Sequence, residues 1–246
     1  MTWYQEFGGE KATETTTYDQ GTHMNDRPKA SRRNVLRGAI VVGAGTAVAG
    51  GTTFVVSNSA HAEVAAPEIS SCEDWGARPD TGLTPLDNSP NKIVIHHTAS
   101  DNSDDLSKEH AHELAYTIQG WHMEENGWAD SGQHFTISRG GHVCEGRHTS
   151  LQHLQDGAGF VQGAHAPGAN TDGIGIENEG TYMDVEPTQE QWDGLVAFCA
   201  YACAQYGIDP NEIYGHRDFS STTCPGDAFY AKLPQLKEEV AAALNA

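Results

Sequence analysis

The charge of this chain changes abruptly near residue 62, and that break decides how much of it can share one core. Residues 1–62 hold five acids and six bases, whereas residues 63–246 hold 29 acids and eight bases. The last 184 residues therefore carry a net charge of −21, which has to lie on a solvated surface. They are numerous enough to bury a core of their own. The chain as a whole, at −20, lacks the cationic surface that a phosphate backbone requires, which excludes nucleic-acid binding as its function.

The first segment has the layout of an export signal. Its start is polar and threonine-rich, with no apolar period. Ser31-Arg32-Arg33-Asn34-Val35-Leu36-Arg37 leads into 18 uncharged residues, Ala39 to Val56, and Ala60-His61-Ala62 supplies a small-x-small cleavage pattern. The arginine pair resembles the twin-arginine signal, which is read by a translocase that moves folded proteins. A secreted mature chain starting near residue 63 is expected. No stable membrane anchor is expected, because Gly43, Gly45, Gly50 and Gly51 weaken the stretch as a span. Met24 opens a signal of more usual length.

Within the acidic segment, residues 63–71 read as a short tail and 72–246 as one domain. Lys92-Ile93-Val94-Ile95 is a short apolar run and predicts a central strand. Leu106–Glu125 places Leu114, Ile118 and Trp121 at helical spacing and predicts a helix that stops before Asn126-Gly127. Gly132–Ser138 and Gly141–Gly146 predict a hairpin turning at Gly140-Gly141. Gly173–Glu179 predicts a strand, with Ile174 and Ile176 on one face and Gly175 and Glu177 on the other. Residues 148–170 show little periodicity and read as a long functional loop. The capping box Thr188-Gln189-Glu190-Gln191 opens a helix with Trp192, Leu195, Val196, Cys199 and Cys203 on its apolar side, ending before Gly207. A last helix is expected over Ala228–Leu244. The sum is a layered α/β domain, a central mixed β-sheet flanked by helices.

Five cysteines are an odd number for an exported chain. Two disulfides and one cysteine with another task is the economical solution. Cys72 could tie the tail, and Cys144 the hairpin, to the helix that carries Cys199 and Cys203; the matching stays open, and four reduced cysteines buried in the core are the alternative. Two histidine clusters suggest the remaining task. His96-His97 ends the first strand, and Gly215-His216-Arg217-Asp218 precedes Thr222-Thr223-Cys224-Pro225-Gly226. A His and a Cys eight residues apart, with a second His from a distant strand end, can form a three-ligand zinc site with a position left for water.

These stretches, with Trp75-Gly76-Ala77-Arg78, Gly127 through Phe135, Glu145-Gly146-Arg147, Gly163-Ala164-His165 and Ile174 through Gly180, resemble the type 2 N-acetylmuramoyl-L-alanine amidases in order and spacing. That family includes phage lysozyme-type amidases and the peptidoglycan recognition proteins. The resemblance implies zinc held by His96, His216 and Cys224, with peptidoglycan or muropeptides as partners and a monomeric enzyme. Cys224 distinguishes this chain from binding-only members, which commonly lack that ligand. Gln133 stands where the family usually carries a tyrosine. Thr222 stands at the position of a lysine found in the phage-type enzymes. Glutamine does not titrate and cannot act as a base. Glu177 matches the acid/base glutamate of a cytoplasmic branch of the family. The expected chemistry is hydrolysis of the bond between N-acetylmuramic acid and L-alanine, with Glu177 moving the proton. His165 and Thr222 are expected beside the oxyanion, and Gln133, His97, His134, Trp128 and His165 along the substrate cleft. A non-catalytic peptidoglycan-binding module is the alternative, favoured by Gln133 alone.

Overall fold

A computed structural model of the chain describes residues 64–246. The segment expected to direct export, with its arginine pair, lies outside the described residues. Among those described, no helix is long and apolar enough to cross a membrane.

Eight strands and four α-helices follow one another as β1 (Ile69–Ser70), β2 (Pro85–Leu86), β3 (Lys92–His97), α1 (Lys108–Gly120), β4 (Phe135–Ile137), β5 (Val143–Glu145), α2 (Ser150–Asp156), β6 (Phe160–Val161), β7 (Gly173–Asn178), α3 (Gln189–Tyr206), β8 (Ile213–Gly215) and α4 (Asp227–Leu244). Six strands form one mixed sheet in the order β1-β5-β4-β7-β3-β8, and β2 pairs with β6 apart from it. Only β4 and β5 run antiparallel in the large sheet, as neighbours joined by a tight turn can. The turn contains Gly141 at φ 78°, where a Cβ would meet the Glu190 carbonyl oxygen at 2.4 Å.

The strand β3 is central, parallel to β7 on one side and to β8 on the other. Both its faces are covered, which is why Ile93, Val94 and Ile95 form an unbroken apolar run rather than an alternation. On one face Ile93, Ile95, Phe135, Ile137, Val143, Ile174 and Ile176 pack with Leu195 and Phe198 of α3 and Phe229 and Leu236 of α4. Each such side chain contributes roughly 1.5–3 kcal/mol by leaving water. The alternate residues point to the opposite face. There Cys144 packs against Ala111 and Ala115 of α1, and Val94 against Ala166 and Ala169.

Four expectations change. The segment read as a tail contributes β1, whose Ser70 stands beside Cys144 in the sheet. The long loop at 148–170 contains α2 and β6. Leu151 and Leu154 are too few to set a legible period, and Gly157 and Gly159 close the helix at once. The disulfides are also revised. All five cysteines are buried thiols. Cys72 and Cys144 lie with α1, whereas Cys199 and Cys203 lie on α3 and face the main core, so the sheet separates the pairs that the sequence suggested could join. The helix expected over Leu106–Glu125 begins at Lys108, capped by the Ser107 hydroxyl, which accepts from the His110 N–H at 3.2 Å; past Gly120 it becomes a π-helical turn over Trp121–Glu125.

Candidate metal centre

The sheet register assembles the site. His96 and Glu177 are direct neighbours on β3 and β7, and Thr136 of β4 is the next neighbour of Glu177. Ile95 pairs with Gly215 on β8, so the following residue, His216, comes level with His96. A row running Thr136, Glu177, His96 and His216 therefore crosses the face opposite α3 and α4. Cys224 reaches the same place from the loop before α4. The side-chain donor atoms of His96, His216 and Cys224 all lie within 4.8 Å of one another, and all three residues are buried.

This donor set fits zinc. His96 Nδ1 lies 3.8 Å from Cys224 Sγ. Bonds of about 2.1 Å to nitrogen and about 2.3 Å to sulfur at a tetrahedral angle place such donors about 3.6 Å apart. Burial, reinforced by neighbouring rings, holds His96 well below its ordinary pKa, and burial holds His216 at about 4. Both rings are therefore neutral near pH 7, as ligation demands. Imidazole and thiolate suit zinc, and three protein donors leave a coordination position open.

The loop carrying Cys224 is braced from three sides. The Thr222 hydroxyl accepts from the Cys224 N–H at 3.1 Å, the Arg217 N–H donates to the Cys224 carbonyl at 3.1 Å, and the His97 N–H points to Sγ at 3.4 Å. Thr222, expected beside the oxyanion, thus has its hydroxyl engaged in shaping the metal loop. Asp218 accepts from the Gly215 N–H at 2.8 Å and from the Tyr230 hydroxyl at 2.5 Å, which fixes the turn holding His216.

Glu177 is 6% exposed, and burial alone lifts its carboxyl to about 8. Gln133 is buried, and its amide donates to Thr136 Oγ1 at 2.9 Å, while its Oε1 has no hydrogen-bond partner. The glutamine thus acts on the row through Thr136. His97 is buried with Nε2 unpartnered, and burial followed by the Arg217 charge lowers it to about 4. His134, expected along the cleft, spends both ring nitrogens on backbone: Nδ1 accepts from the Gly175 N–H at 3.0 Å, and Nε2 donates to the Val161 carbonyl at 2.9 Å. Its place is under the site, as a brace. Trp128 is half-buried, with its ring 4.8 Å from that of His122.

His165 stands over β7. It occupies the space left by Gly175, where a Cβ would come 2.5 Å from the imidazole Cγ. Its Nδ1 faces His96 Nε2 at 3.0 Å, and burial lowers its pKa to about 3. One residue escaped the reading of single positions. Arg147 is 5% exposed, with Nε and Nη1 unpartnered, and its charge is felt by His134, His165 and His122. A buried guanidinium with open N–H groups can hold an anion. The stretch Glu145-Gly146-Arg147 was the available signal.

Fold and site together define a layered α/β domain with a buried His-His-Cys cluster whose donors could hold a metal ion. Residues 86–227 match the family described as N-acetylmuramoyl-L-alanine amidase (Amidase_2). The chain belongs to that family. Among curated relatives, peptidoglycan-recognition protein SC2 of Drosophila melanogaster is 36% identical over 159 residues, 64% of this chain and 80% of the relative. Among solved structures, a mutant of Drosophila PGRP-LB in complex with tracheal cytotoxin superposes with a TM-score of 0.59 at 28% identity, covering 67% of this chain and 92% of that one. The N-acetylmuramoyl-L-alanine amidase LysC from Clostridium intestinale superposes with a TM-score of 0.55 at 29% identity, covering 74% and 99%. The chain is thus similar both to recognition proteins and to an amidase.

Proposed function

We propose that the protein is a zinc-dependent N-acetylmuramoyl-L-alanine amidase, acting as a monomer outside the cell on peptidoglycan or muropeptides. The observation that carries this reading is the placement of Glu177 directly beside His96, in a row that also includes His216 and closes on Cys224. A ligand triad alone is compatible with mere binding. A carboxyl group next to it supplies the proton transfer that amide hydrolysis requires.

His96, His216 and Cys224 would hold zinc, which would supply Lewis acidity and acidify a water. Glu177 accepts the proton that the attacking water loses and delivers it to the departing amine of L-alanine. Gln133 orders Thr136 beside it. Burial of the whole row excludes bulk water and sharpens these interactions.

The test is mass spectrometry of purified muropeptides incubated with the protein, with zinc measured in parallel. Wild type should release stem peptide from intact disaccharide. Glu177→Gln should keep stoichiometric zinc and lose about 10²–10⁴-fold in turnover, the usual worth of a general acid–base. Zinc-loaded wild type that releases no stem peptide would leave a binding module as the reading. Export through the twin-arginine route is proposed from Arg32 and Arg33. Replacing both by lysine should trap the precursor in cells, as fractionation would detect; normal extracellular yield would point to another route.

A further inference from the structure

Metal-binding histidines have two ring nitrogens, and a neutral ring carries its hydrogen on only one of them. Which one decides whether the lone pair faces the metal, and the group bonded to the other nitrogen usually makes the choice. Here a chain of three groups fixes it. His165 Nε2 lies 3.1 Å from the Gly173 carbonyl oxygen. A carbonyl only accepts, so the His165 hydrogen resides on Nε2 and its Nδ1 is an acceptor. That acceptor lies 3.0 Å from His96 Nε2. His96 therefore carries its hydrogen on Nε2. Its bare Nδ1 is the nitrogen that stands 3.8 Å from Cys224 Sγ, on the side of the metal cluster.

We infer that His165 is a positioning residue that locks His96 in the Nε2–H tautomer and so presents the Nδ1 lone pair to zinc. The surroundings hold His165 to this task. The ring centroids of His96 and His165 lie 5.1 Å apart with the planes at 87°, a separation that allows an N–H···N bond along the line between the two facing nitrogens. Asn170 Oδ1 accepts from the backbone N–H groups of His165 at 2.8 Å and Ala166 at 2.9 Å, which fixes the loop. Gly175 leaves the room that the ring fills. With both nitrogens engaged, His165 has none left for an oxyanion or for substrate, so the role expected from the sequence is replaced. The inference rests on the zinc reading above for its consequence, though not for the tautomer itself.

Two measurements test it on the full chain. The first is ¹⁵N NMR of the imidazoles after zinc is stripped with a chelator, with the His96 signals assigned by their loss in His96→Gln. The wild type should show His96 protonated on Nε2. A proton on Nδ1 overturns the inference without any variant having to fold. The second is zinc affinity by chelator competition. His165→Leu removes the acceptor at similar volume and should weaken zinc about 10–100-fold, while His96 populates both tautomers. His165→Gln restores a carbonyl acceptor and should recover part of that loss. Unchanged zinc affinity in His165→Leu, with His96 still protonated on Nε2, overturns the inference. A wild type that binds no zinc would remove the proposed function instead, and the NMR result would still decide the tautomer.

Discussion

Burial lifts the Glu177 carboxyl to about 8, so in the zinc-free chain it is mostly protonated at neutral pH. In the proposed reaction a nearby dication would favour the carboxylate and so link zinc loading to the readiness of Glu177 as base. The same shift has a consequence for stability. Between the ordinary value of 4.5 and about 8, the folded chain holds a proton that the unfolded chain has released. The stabilisation is complete below the lower value and is lost as pH rises through the higher one. Zinc-stripped wild type should therefore lose thermal stability relative to zinc-stripped Glu177→Gln between about pH 5.5 and about pH 8.5. A difference in melting temperature that does not change with pH would show that Glu177 is not buried as described. Gln133 illustrates a different limit at this scale. Its side chain was identified as one that cannot titrate, and only the fold showed that it reaches the row through Thr136.

At the scale of elements, the helices were legible where local chemistry fixed their ends. Thr188 caps α3 by accepting from the Gln191 N–H at 3.2 Å, and Gly207 closes it in the left-handed region at φ 71°. Thr188→Ala should cost about 1 kcal/mol of stability, read as a lower denaturant midpoint, with zinc content unchanged. A loss of zinc in that variant would couple α3 to the site in a way that the packing does not suggest. The strand β3 was legible because a strand buried on both faces must be apolar throughout. The helix α2 was not, because seven residues ending at glycines carry too little pattern. The edge strand β1 has two residues, and its pairing depends on a partner more than 70 positions away.

At the scale of the molecule, the sheet divides the cysteines. Successive residues of β5 alternate faces, so Val143 joins the core under α3 while Cys144 turns toward α1. Cys199 and Cys203 lie on the other side. The mature protein, unfolded without reductant, should accordingly take up alkylating reagent at five cysteines, which intact mass counts directly. A lower count would show a disulfide, and one joining Cys72 or Cys144 to Cys199 or Cys203 would contradict this packing. Cys224 in any disulfide would also remove the sulfur from the proposed metal site.

The sequence by itself determined the layered α/β class, and it singled out the charge break near residue 62 and the three side chains proposed to hold the metal. Those follow from local composition, from periodicity and from motifs whose spacing is short. The tertiary structure decided the rest, because it depends on register between strands far apart in the chain. Pairing β7 with β3 in this register sets Glu177 beside His96; a slip of one residue would turn it toward the apolar core. The same register places Gly175 beneath the ring of His165, and so leads that imidazole to His96 rather than to substrate. Which cysteines can meet is likewise a matter of sheet faces, which no spacing along the chain records.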